Sequence, residues 1–300
     1  MKHLKGEKIN GWLIIDKPVG IGSTTVVNQT RHLLNAQKNG HTGTLDPFAS
    51  GVLPIAFGEA TKLIPYVTDG DKEYEFTLKF GSATDTLDHT GQIIASGGSI
   101  PSRKQILAIL PSFIGQITQI PPAYSAIKIN GRRAYDLARK GEDVTIPSRQ
   151  ITIHDLQLLE ILPDSQARFR VACSKGTYVR TLGADIAVKL GTLGHLTALR
   201  RTKCANFSLT DTILLDNLKK LDYSAHQQLL LPLLTSLCDI TVIAISKEDA
   251  DRLRQGQKLS AKSYAVEHQN GEMIASCDGS PVAIVRVEEK SISPIRVFNL

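Results

Sequence analysis

The chain has few cysteines, and their spacing argues against a zinc site or a disulfide scaffold. Its 300 residues contain four, at widely separated positions: Cys173, Cys204, Cys238 and Cys277. The sequence has no C-x-x-C pair and no cluster of His and Cys at the spacing of zinc ligands. Scattered free thiols are typical of proteins in a reducing compartment.

The sequence also lacks an apolar run long enough for a signal peptide or a membrane span. The longest early run, residues 12–15, is ended by Asp16 and Lys17, and the leucine-rich stretch 229–234 is interrupted by Pro232. A spanning helix needs about 20 apolar residues. Internal repeats, low-complexity tracts and nucleotide-binding P-loops are absent as well. We therefore expect a soluble, cytoplasmic protein.

The composition is that of a folded, basic protein. The hydrophobic fraction is 42%, and 35 Lys and Arg against 29 Asp and Glu give a net charge of +6 and a pI near 9.1. The positive charge favours a polyanionic partner such as RNA or an anionic membrane surface, although many basic proteins bind neither. The length fits one large domain, or a main domain with a small one.

Hydrophobic periodicity predicts strands and helices in irregular alternation. Ser23 or Thr24 is expected to cap a first helix that ends near Asn35. The other elements predicted for this part of the chain are strands at 11–16, 73–80, 151–161 and 167–172 and helices at 101–110 and 181–190. Several strand pairs resemble hairpins, so we predict an α+β fold with a mixed, mainly antiparallel sheet flanked by helices.

The sequence changes in texture from about residue 239. One short helix at 246–255 precedes short apolar runs, and Asn270-Gly271 predicts a hairpin turn. Closing strands are expected at 282–287 and 295–298. We therefore divide the chain into a main domain at residues 1–238 and a small β-rich module at residues 239–300.

A loop rich in Gly and Pro surrounds one acid, Asp46, in the segment Gly40-His41-Thr42-Gly43-Thr44-Leu45-Asp46-Pro47-Phe48-Ala49-Ser50-Gly51-Val52-Leu53-Pro54. Such a loop is too irregular for a helix and too apolar for an ordinary solvated turn. Asp46 is a candidate nucleophile or base. The alternative is a structural turn in which Asp46 caps a backbone N–H, and local chemistry alone favours that alternative because Asp-Pro is a common turn pair.

This loop resembles the catalytic motif of the TruB family, the bacterial tRNA pseudouridine-55 synthases, at every fixed position of Gly-His-Thr-Gly-x-Leu-Asp-Pro-x-Ala-x-Gly-x-Leu-Pro. Other family motifs follow in order: Leu13-Ile14-Ile15-Asp16-Lys17-Pro18, Lys72-Glu73-Tyr74, Cys173-Ser174-Lys175-Gly176-Thr177-Tyr178-Val179-Arg180-Thr181-Leu182 and Leu199-Arg200-Arg201. The C-terminal segment Pro294-Ile295-Arg296-Val297-Phe298 is similar to the closing strand of a PUA-type RNA-binding module. The resemblance implies the pseudouridine synthase fold with a PUA-like module.

The resemblance assigns catalytic roles to three residues. Asp46 would be the catalytic carboxylate, Arg180 its charged partner, and Tyr74 a stacking surface whose phenol helps to remove the C5 proton. A surface arginine and a core tyrosine are the ordinary alternatives for Arg180 and Tyr74. Leu199 would pack against the other side of the uracil, although a core leucine has the same sequence signature.

A second group of residues is assigned to substrate binding. His41 would stack on a displaced base, and Tyr178 belongs to the same set. Lys17 and Lys62 would support the loops around the site. The basic stretch 128–140, which contains Arg132 and Arg133, would close over the RNA and contact phosphates. For the histidine, the lysines and the basic stretch, a purely structural or solvated role remains open.

The predicted function is isomerisation of uridine 55 in the T-loop of tRNA, by base flipping and an aspartate-dependent mechanism. We expect a monomer that needs no cofactor, metal or obligatory protein partner. The alternatives are a guide-RNA-dependent relative, an RNA-binding or tRNA-folding protein, and a metal-dependent hydrolase that uses Asp85 and Asp88. The sequence leaves open whether Asp46 attacks the base or the sugar and which RNAs are accepted.

Overall fold

A computed structural model describes residues 6–125, 127–129, 131–135, 145–237 and 240–300. The strands in these residues are β1 Gly11–Lys17, β2 Asn39–His41, β3 Ser50–Phe57, β4 Lys72–Phe80, β5 Ser82–Thr84, β6 Ile93–Ser96, β7 Gly115–Gln119, β8 Lys128–Ile129, β9 Arg132–Arg133, β10 Arg149–Leu162, β11 Gln166–Cys173, β12 Gly194–Cys204, β13 Phe207–Ser208, β14 Ile213–Leu214, β15 Val242–Ala244, β16 Leu259–Ser260, β17 Gly271–Cys277, β18 Ser280–Glu288 and β19 Ser291–Val297. The helices are α1 Ser23–Leu33, α2 Ile64–Asp69, α3 Arg103–Ile109, α4 Val179–Lys189, α5 Leu215–Leu218, α6 Tyr223–Gln228 and α7 Lys247–Arg254. None of these helices is long and apolar enough to span a bilayer.

A central sheet of ten strands organises the main part of the molecule. Its strand order is β14-β1-β3-β12-β4-β11-β10-β7, with β13 on β12 and β2 on β3. The β1/β14 and β3/β12 pairs are parallel, and the other pairs are antiparallel. The predicted fold class, α+β with a mixed, mainly antiparallel sheet, is confirmed.

Two apolar clusters cover the central sheet. Side chains of α1, α3 and α4 pack with Phe76 and Phe169, whose rings stack with centroids 5.1 Å apart. The second cluster contains Trp12 and Phe207 together with Ile284 from the five-stranded sheet near the C-terminus. The indole nitrogen of Trp12 donates a hydrogen bond to the carbonyl of Leu233 (2.9 Å). Shared apolar packing therefore joins the small sheet to the central one.

The start of α1 differs from the prediction. Gly22, and not Ser23 or Thr24, is the N-cap residue. The Ser23 hydroxyl accepts a hydrogen bond from the backbone N–H of Leu45 (2.8 Å) and donates one to the carbonyl of Leu45 (2.9 Å). The serine was misassigned because a tertiary contact with the Asp46 loop takes the place of the local cap.

The small sheet has the strand order β15-β17-β18-β19-β16. The hairpin predicted at Asn270-Gly271 is wrong, because Gly271 is the first residue of β17, whose partners are β15 and β18. The turn between β17 and β18 falls at Asp278-Gly279, where φ is 50° and 76°. Two successive positive φ angles are the geometry of a type I′ hairpin, for which Asp-Gly is also suited. Residues 238 and 239, the expected domain boundary, lie outside the described residues.

Candidate active site

The Asp46 loop connects β2 to β3 and is anchored near its middle and at its C-terminal end. At its end, Gly51 pairs with Arg201 of the parallel neighbour β12, with φ of 103°; a Cβ there would lie 2.1 Å from the carbonyl oxygen of Arg201. Only glycine fits so close a backbone approach. Near its middle, the carbonyl of Pro47 accepts from the backbone N–H of Gly20 (2.7 Å).

Lys17 supports the same loop from β1. Its Nζ is fully buried and donates to the carbonyls of Pro18 (2.8 Å), Ile21 (2.7 Å) and Pro47 (3.4 Å). Burial lowers the pKa of Lys17 to about 8, although the negative charge of Asp46 opposes the shift. Its ammonium group thus satisfies three backbone carbonyls and supplies positive charge near Asp46.

Arg180, at the start of α4, forms an ion pair with Asp46. The distance from its Nε to Oδ2 of Asp46 is 3.0 Å, and the side chains are 4% and 36% exposed. Its two terminal nitrogens donate to the carbonyls of Thr86 and Tyr124 (both 2.9 Å). Backbone acceptors therefore fix the guanidinium through its two terminal nitrogens, and its Nε faces the carboxylate of Asp46.

A second carboxylate, Asp88, lies on the same arginine. Its Oδ2 is 3.6 Å from Nη1 of Arg180, while its Oδ1 accepts from the backbone N–H of Thr90 (2.9 Å) and the hydroxyl of Thr86 (3.0 Å). Asp85 has a different partner, because its Oδ1 accepts from the backbone N–H of Gln92 (2.8 Å). Within the described residues, no group of three or more His, Cys, Asp or Glu is arranged to hold a metal ion.

Asp46 has a raised pKa. Burial is the main cause, and the negative charge of Asp88 adds to it, whereas Arg180 and Lys17 act in the opposite direction. Burial disfavours a charged carboxylate because the surroundings solvate it poorly. Arg180 and Lys17 therefore favour the ionised form against this effect.

A cavity of about 730 Å³ lies over Asp46. Tyr74 of β4 and Leu199 of β12 line it, together with Tyr178, which directly precedes α4. The backbone N–H of Tyr178 donates to the side chain of Gln119 (2.7 Å), and the Arg149 guanidinium lies 5.4 Å from the centre of its ring. The remaining lining residues are Thr42, Gly43, Thr44, Leu45, Thr68, Lys72, Ser125, Gln150, Ser174, Lys175, Gly176, Thr177, Val179, Arg180 and Arg201.

Some of the predicted site residues lie elsewhere. Lys62 is on a 3₁₀ helix and donates to Glu59 (2.6 Å) and to the carbonyl of Val297 (2.7 Å), so it ties the central sheet to β19. These contacts do not involve the Asp46 loop, and the expected role of Lys62 in supporting a loop of the site stays a prediction. His41 ends β2, and its Nδ1 accepts from the backbone N–H of Gly43 (3.2 Å). Burial lowers the pKa of His41, so the neutral ring is favoured.

The basic stretch is described only in part. β8 and β9 form a small hairpin in which Lys128 is opposite Arg133 and Ile129 is opposite Arg132. Arg132 is exposed on this hairpin. The side chain of Arg133 and residues 136–144 lie outside the described part of the chain, so the predicted closing loop remains a prediction.

Arg201 is a buried, charged pocket residue that the sequence analysis did not assign to the site. It is 1% exposed, and its guanidinium donates to the carbonyls of Val52 (2.7 Å) and Gly43 (3.2 Å). A signal was available in the sequence, because Leu199 and Arg201 are two residues apart on a strand and such residues share one face. A pocket role for Leu199 therefore also indicates one for Arg201.

Solved structures of low sequence identity share this fold. The chain superposes on one in the "Crystal Structure of a Cbf5-Nop10-Gar1 Complex" with a TM-score of 0.72 and 24% identity, over 96% of this chain and 84% of that one. A chain in the "Crystal structure of the archaeal box H/ACA sRNP Nop10-Cbf5 complex" gives a TM-score of 0.70 and 22% identity, over 97% and 86%. The molecule is thus a member of the pseudouridine synthase fold class.

The family is shown by closer relatives. The family model described as "TruB family pseudouridylate synthase (N terminal domain)" matches residues 31–179, and "tRNA pseudouridylate synthase B C-terminal domain" matches residues 180–237. Proteins named tRNA pseudouridine synthase B from Caulobacter vibrioides and Rhodospirillum rubrum are 43% and 46% identical, and each alignment covers 100% of this chain and 99% of the relative. The chain belongs to the TruB family of pseudouridylate synthases.

Proposed function

We propose that this protein converts uridine 55 in the T-loop of tRNA to pseudouridine. One observation carries the proposal: the Asp46 carboxylate is held 3.0 Å from the buried guanidinium of Arg180, in a cavity also lined by Tyr74 and Leu199. The names of the full-length relatives from Caulobacter vibrioides and Rhodospirillum rubrum support tRNA as the substrate.

The reaction sets clear chemical requirements. The C1′–N1 bond of uridine breaks, the uracil turns within the site, and a bond forms between C1′ and C5. The proton on C5 is then lost and N1 gains one, so product and substrate have the same formula. The site must therefore provide a group that adds to base or sugar, or stabilises a cationic sugar, and a group that accepts a proton.

Asp46 is suited to the first requirement in its ionised form. Burial raises its pKa, and the positive charges of Arg180 and Lys17 oppose this rise and so favour the ionised carboxylate. The backbone contacts of Arg180 to Thr86 and Tyr124 fix the direction from which this charge acts. We assign Asp46 as the catalytic carboxylate and Arg180 as its electrostatic partner.

Tyr74 and Leu199 are suited to holding the uracil. Both line the cavity, and both are more than nine-tenths buried, so neither side chain has much freedom to move. A flat phenol ring and an aliphatic side chain are typical surfaces for stacking a base. The Tyr74 hydroxyl would also lie within the site as an acceptor for the C5 proton.

The substrate nucleotide has to leave its stack to reach this cavity. A volume of about 730 Å³ lies within the range of small-ligand sites and has room for one nucleotide. Extrusion of the target base is the general solution for chemistry on bases in folded nucleic acids. We propose that Tyr178 contacts the extruded nucleotide and that His41, beside the loop, contacts the RNA from which it leaves.

The wider assignment is part of the same proposal. Residues 1–238 would form the catalytic domain and residues 239–300 an RNA-binding module, while Arg132 and Arg133 would contact RNA phosphates. The protein would act in the cytoplasm as a monomer, without cofactor, metal or guide RNA. The positive net charge of +6 supports RNA contact over a broad surface.

The test uses unmodified tRNA transcripts and the purified full-length protein alone. We expect pseudouridine at position 55, detected by base-specific chemical modification and primer extension, and none in a matched transcript that carries cytidine at that position. Product at another site, or product only after a guide RNA is added, would contradict the assignment. RNA binding without any product would instead favour an RNA-folding protein.

A further inference from the structure

Within the described residues, Arg201 is a buried charge without a carboxylate partner. It is 1% exposed, and among the described residues no carboxylate forms an ion pair with its guanidinium. Its guanidinium donates to the backbone carbonyls of Val52 and Gly43, and the side chain of Tyr74 is a further partner of its charge. A buried cation is costly unless its surroundings compensate for the lost water. Its position in the wall of the pocket indicates a use for the charge.

Tyr74 is the direct cross-strand neighbour of this arginine. In the antiparallel pair of β4 and β12, Tyr74 is opposite Arg201, and both residues line the cavity. Side chains of directly opposite residues lie on the same face and in contact distance. Burial raises the pKa of Tyr74 to about 12, the adjacent Arg201 opposes that rise, and the thiols of Cys173 and Cys204 add to it. Lys72, two residues before Tyr74 on β4, is a further ionisable residue in the lining of the cavity.

Arg201 also contacts the loop that carries Asp46. Nη2 donates to the carbonyl of Gly43 (3.2 Å), and a Cβ added to Gly43 would lie 3.5 Å from Nη1. One guanidinium therefore lies between the phenol of Tyr74 and the loop of Asp46. A shift of either element would be transmitted to the other through this side chain.

We propose that Arg201 is a positioning residue that orients the Tyr74 hydroxyl and stabilises negative charge on its oxygen during removal of the C5 proton. In this step the phenol of Tyr74 first gives its own proton to solvent water. The C5–H bond then breaks, and its proton passes to the phenolate oxygen. The electron pair of that bond forms the C5=C6 double bond, while the C6=N1 double bond opens onto N1, which takes up a proton from water. The positive charge of Arg201 favours the phenolate that accepts this proton. The inference rests on the proposed function, because it assigns Arg201 a part in that reaction.

The first test is a double-mutant cycle under single-turnover conditions with a T-arm stem-loop RNA. Arg201→Gln should lower the rate of product formation about 100-fold, a size typical of lost acid–base assistance, with little change in RNA affinity. Arg201→Lys should recover part of the rate because it keeps the charge. In a Tyr74→Phe background, Arg201→Gln should lower the rate of product formation only a little further, because the effects of two residues that act together are not additive.

Arg200 supplies the matched control. It is the neighbouring arginine on β12, 39% exposed, and forms an ion pair with Asp16 at 2.7 Å. Arg200→Gln should show no energetic coupling to Tyr74→Phe. The proposal would be overturned if Arg201→Gln lowered the rate by the same factor in the wild-type and Tyr74→Phe backgrounds. It would also be overturned if Arg201→Gln changed only the RNA affinity. Absence of product from the wild-type protein would instead contradict the proposed function.

A second readout does not depend on turnover. Fluorotyrosine placed at position 74 reports its ionisation by ¹⁹F NMR in the folded protein. Arg201→Gln should raise the pKa of this phenol by about one unit or more, as expected for loss of an adjacent opposite charge, and Arg200→Gln should leave it unchanged. An unchanged titration in Arg201→Gln would overturn the proposal even if Tyr74→Phe leaves no measurable rate.

Discussion

The pocket and the C-terminal sheet bury different kinds of side chain. Around the pocket, Arg180, Asp88, Arg201 and Lys17 are all buried. In the C-terminal sheet, the buried cluster is apolar, and ion pairs such as Arg254 to Asp251 lie at the surface. Both regions combine strands with a helix, α4 at the pocket and α7 at the C-terminal sheet, so the contrast does not come from secondary structure.

The difference separates residues that serve chemistry from residues that serve folding. Buried charges stabilise a fold poorly, because the loss of water offsets much of their mutual attraction. Apolar packing contributes directly to stability. We therefore expect substitutions in the pocket to affect activity more than stability, and substitutions in the C-terminal core to do the reverse.

Asp46→Asn should produce the largest effect on activity and no loss of stability. The pKa of Asp46 is raised in the folded protein, so folding favours the protonated form of this group relative to its charged form. Asparagine removes this unfavourable charge but cannot act as a carboxylate. Product should fall below detection while the thermal unfolding midpoint stays equal or rises. A marked fall in that midpoint would contradict the view that this pocket residue serves activity and not stability.

Arg180→Met should abolish activity and also destabilise the protein. The substitution leaves the buried carboxylate of Asp88 and the carbonyls of Thr86 and Tyr124 without their donor. Removing one partner of a buried ion pair costs about 3 kcal/mol of unfolding free energy. Urea unfolding measures this free energy. Arg168→Met is the control, because it breaks a half-exposed ion pair with Glu160 and should cost less than about 1 kcal/mol. Equal costs for the two arginines would contradict the account.

Ile284→Ala should weaken folding and leave chemistry intact. Ile284 is fully buried in the cluster that joins β18 to the central sheet. Loss of a buried isoleucine side chain costs about 2–4 kcal/mol. Measured well below its unfolding transition, the variant should retain the wild-type single-turnover rate at saturating RNA. A rate loss like that of Arg180→Met would show that the two regions are not separable.

The smallest expected effect is a shift in the pH at which the reaction rate falls to half on the acid side. Ionised Asp46 is required, and its pKa lies above the ordinary aspartate value of 3.8, so the rate should fall with decreasing pH at a midpoint above that value. Asp88 contributes to the rise, and Asp88→Asn should move the midpoint to lower pH even where the maximal rate is reduced. A midpoint that moves to higher pH would contradict this electrostatic assignment.

Regular patterns in the sequence predicted much of the fold. The alternation of Tyr74, Phe76 and Leu78 with polar residues matches β4, which is buried at every second position. Glycine at 191, with φ of 72°, ends α4 as expected. Periodicity and turn chemistry are local properties, so they can be read without knowledge of tertiary contacts.

The features that local sequence patterns did not predict are contacts between distant segments of the chain. Ser23 bonds to Leu45, Lys62 to Val297, and Arg201 to Val52, and none of these pairs is close in sequence. The Asp46–Arg180 pair was expected from the family motifs alone, because a separation of 134 positions gives no local signal of contact. Local chemistry alone favoured a structural turn at Asp46, because the sequence of the loop does not indicate that Arg180 is its partner.

The most direct measurement is tritium release from a T-arm stem-loop RNA labelled at C5 of uridine. The wild-type protein and Asp46→Asn would be compared under single-turnover conditions with equal RNA binding verified. We expect release by the wild type and none by Asp46→Asn, although that variant should bind RNA and unfold at the same or a higher temperature. Release by Asp46→Asn at the wild-type rate would contradict the assignment of Asp46 as the catalytic carboxylate.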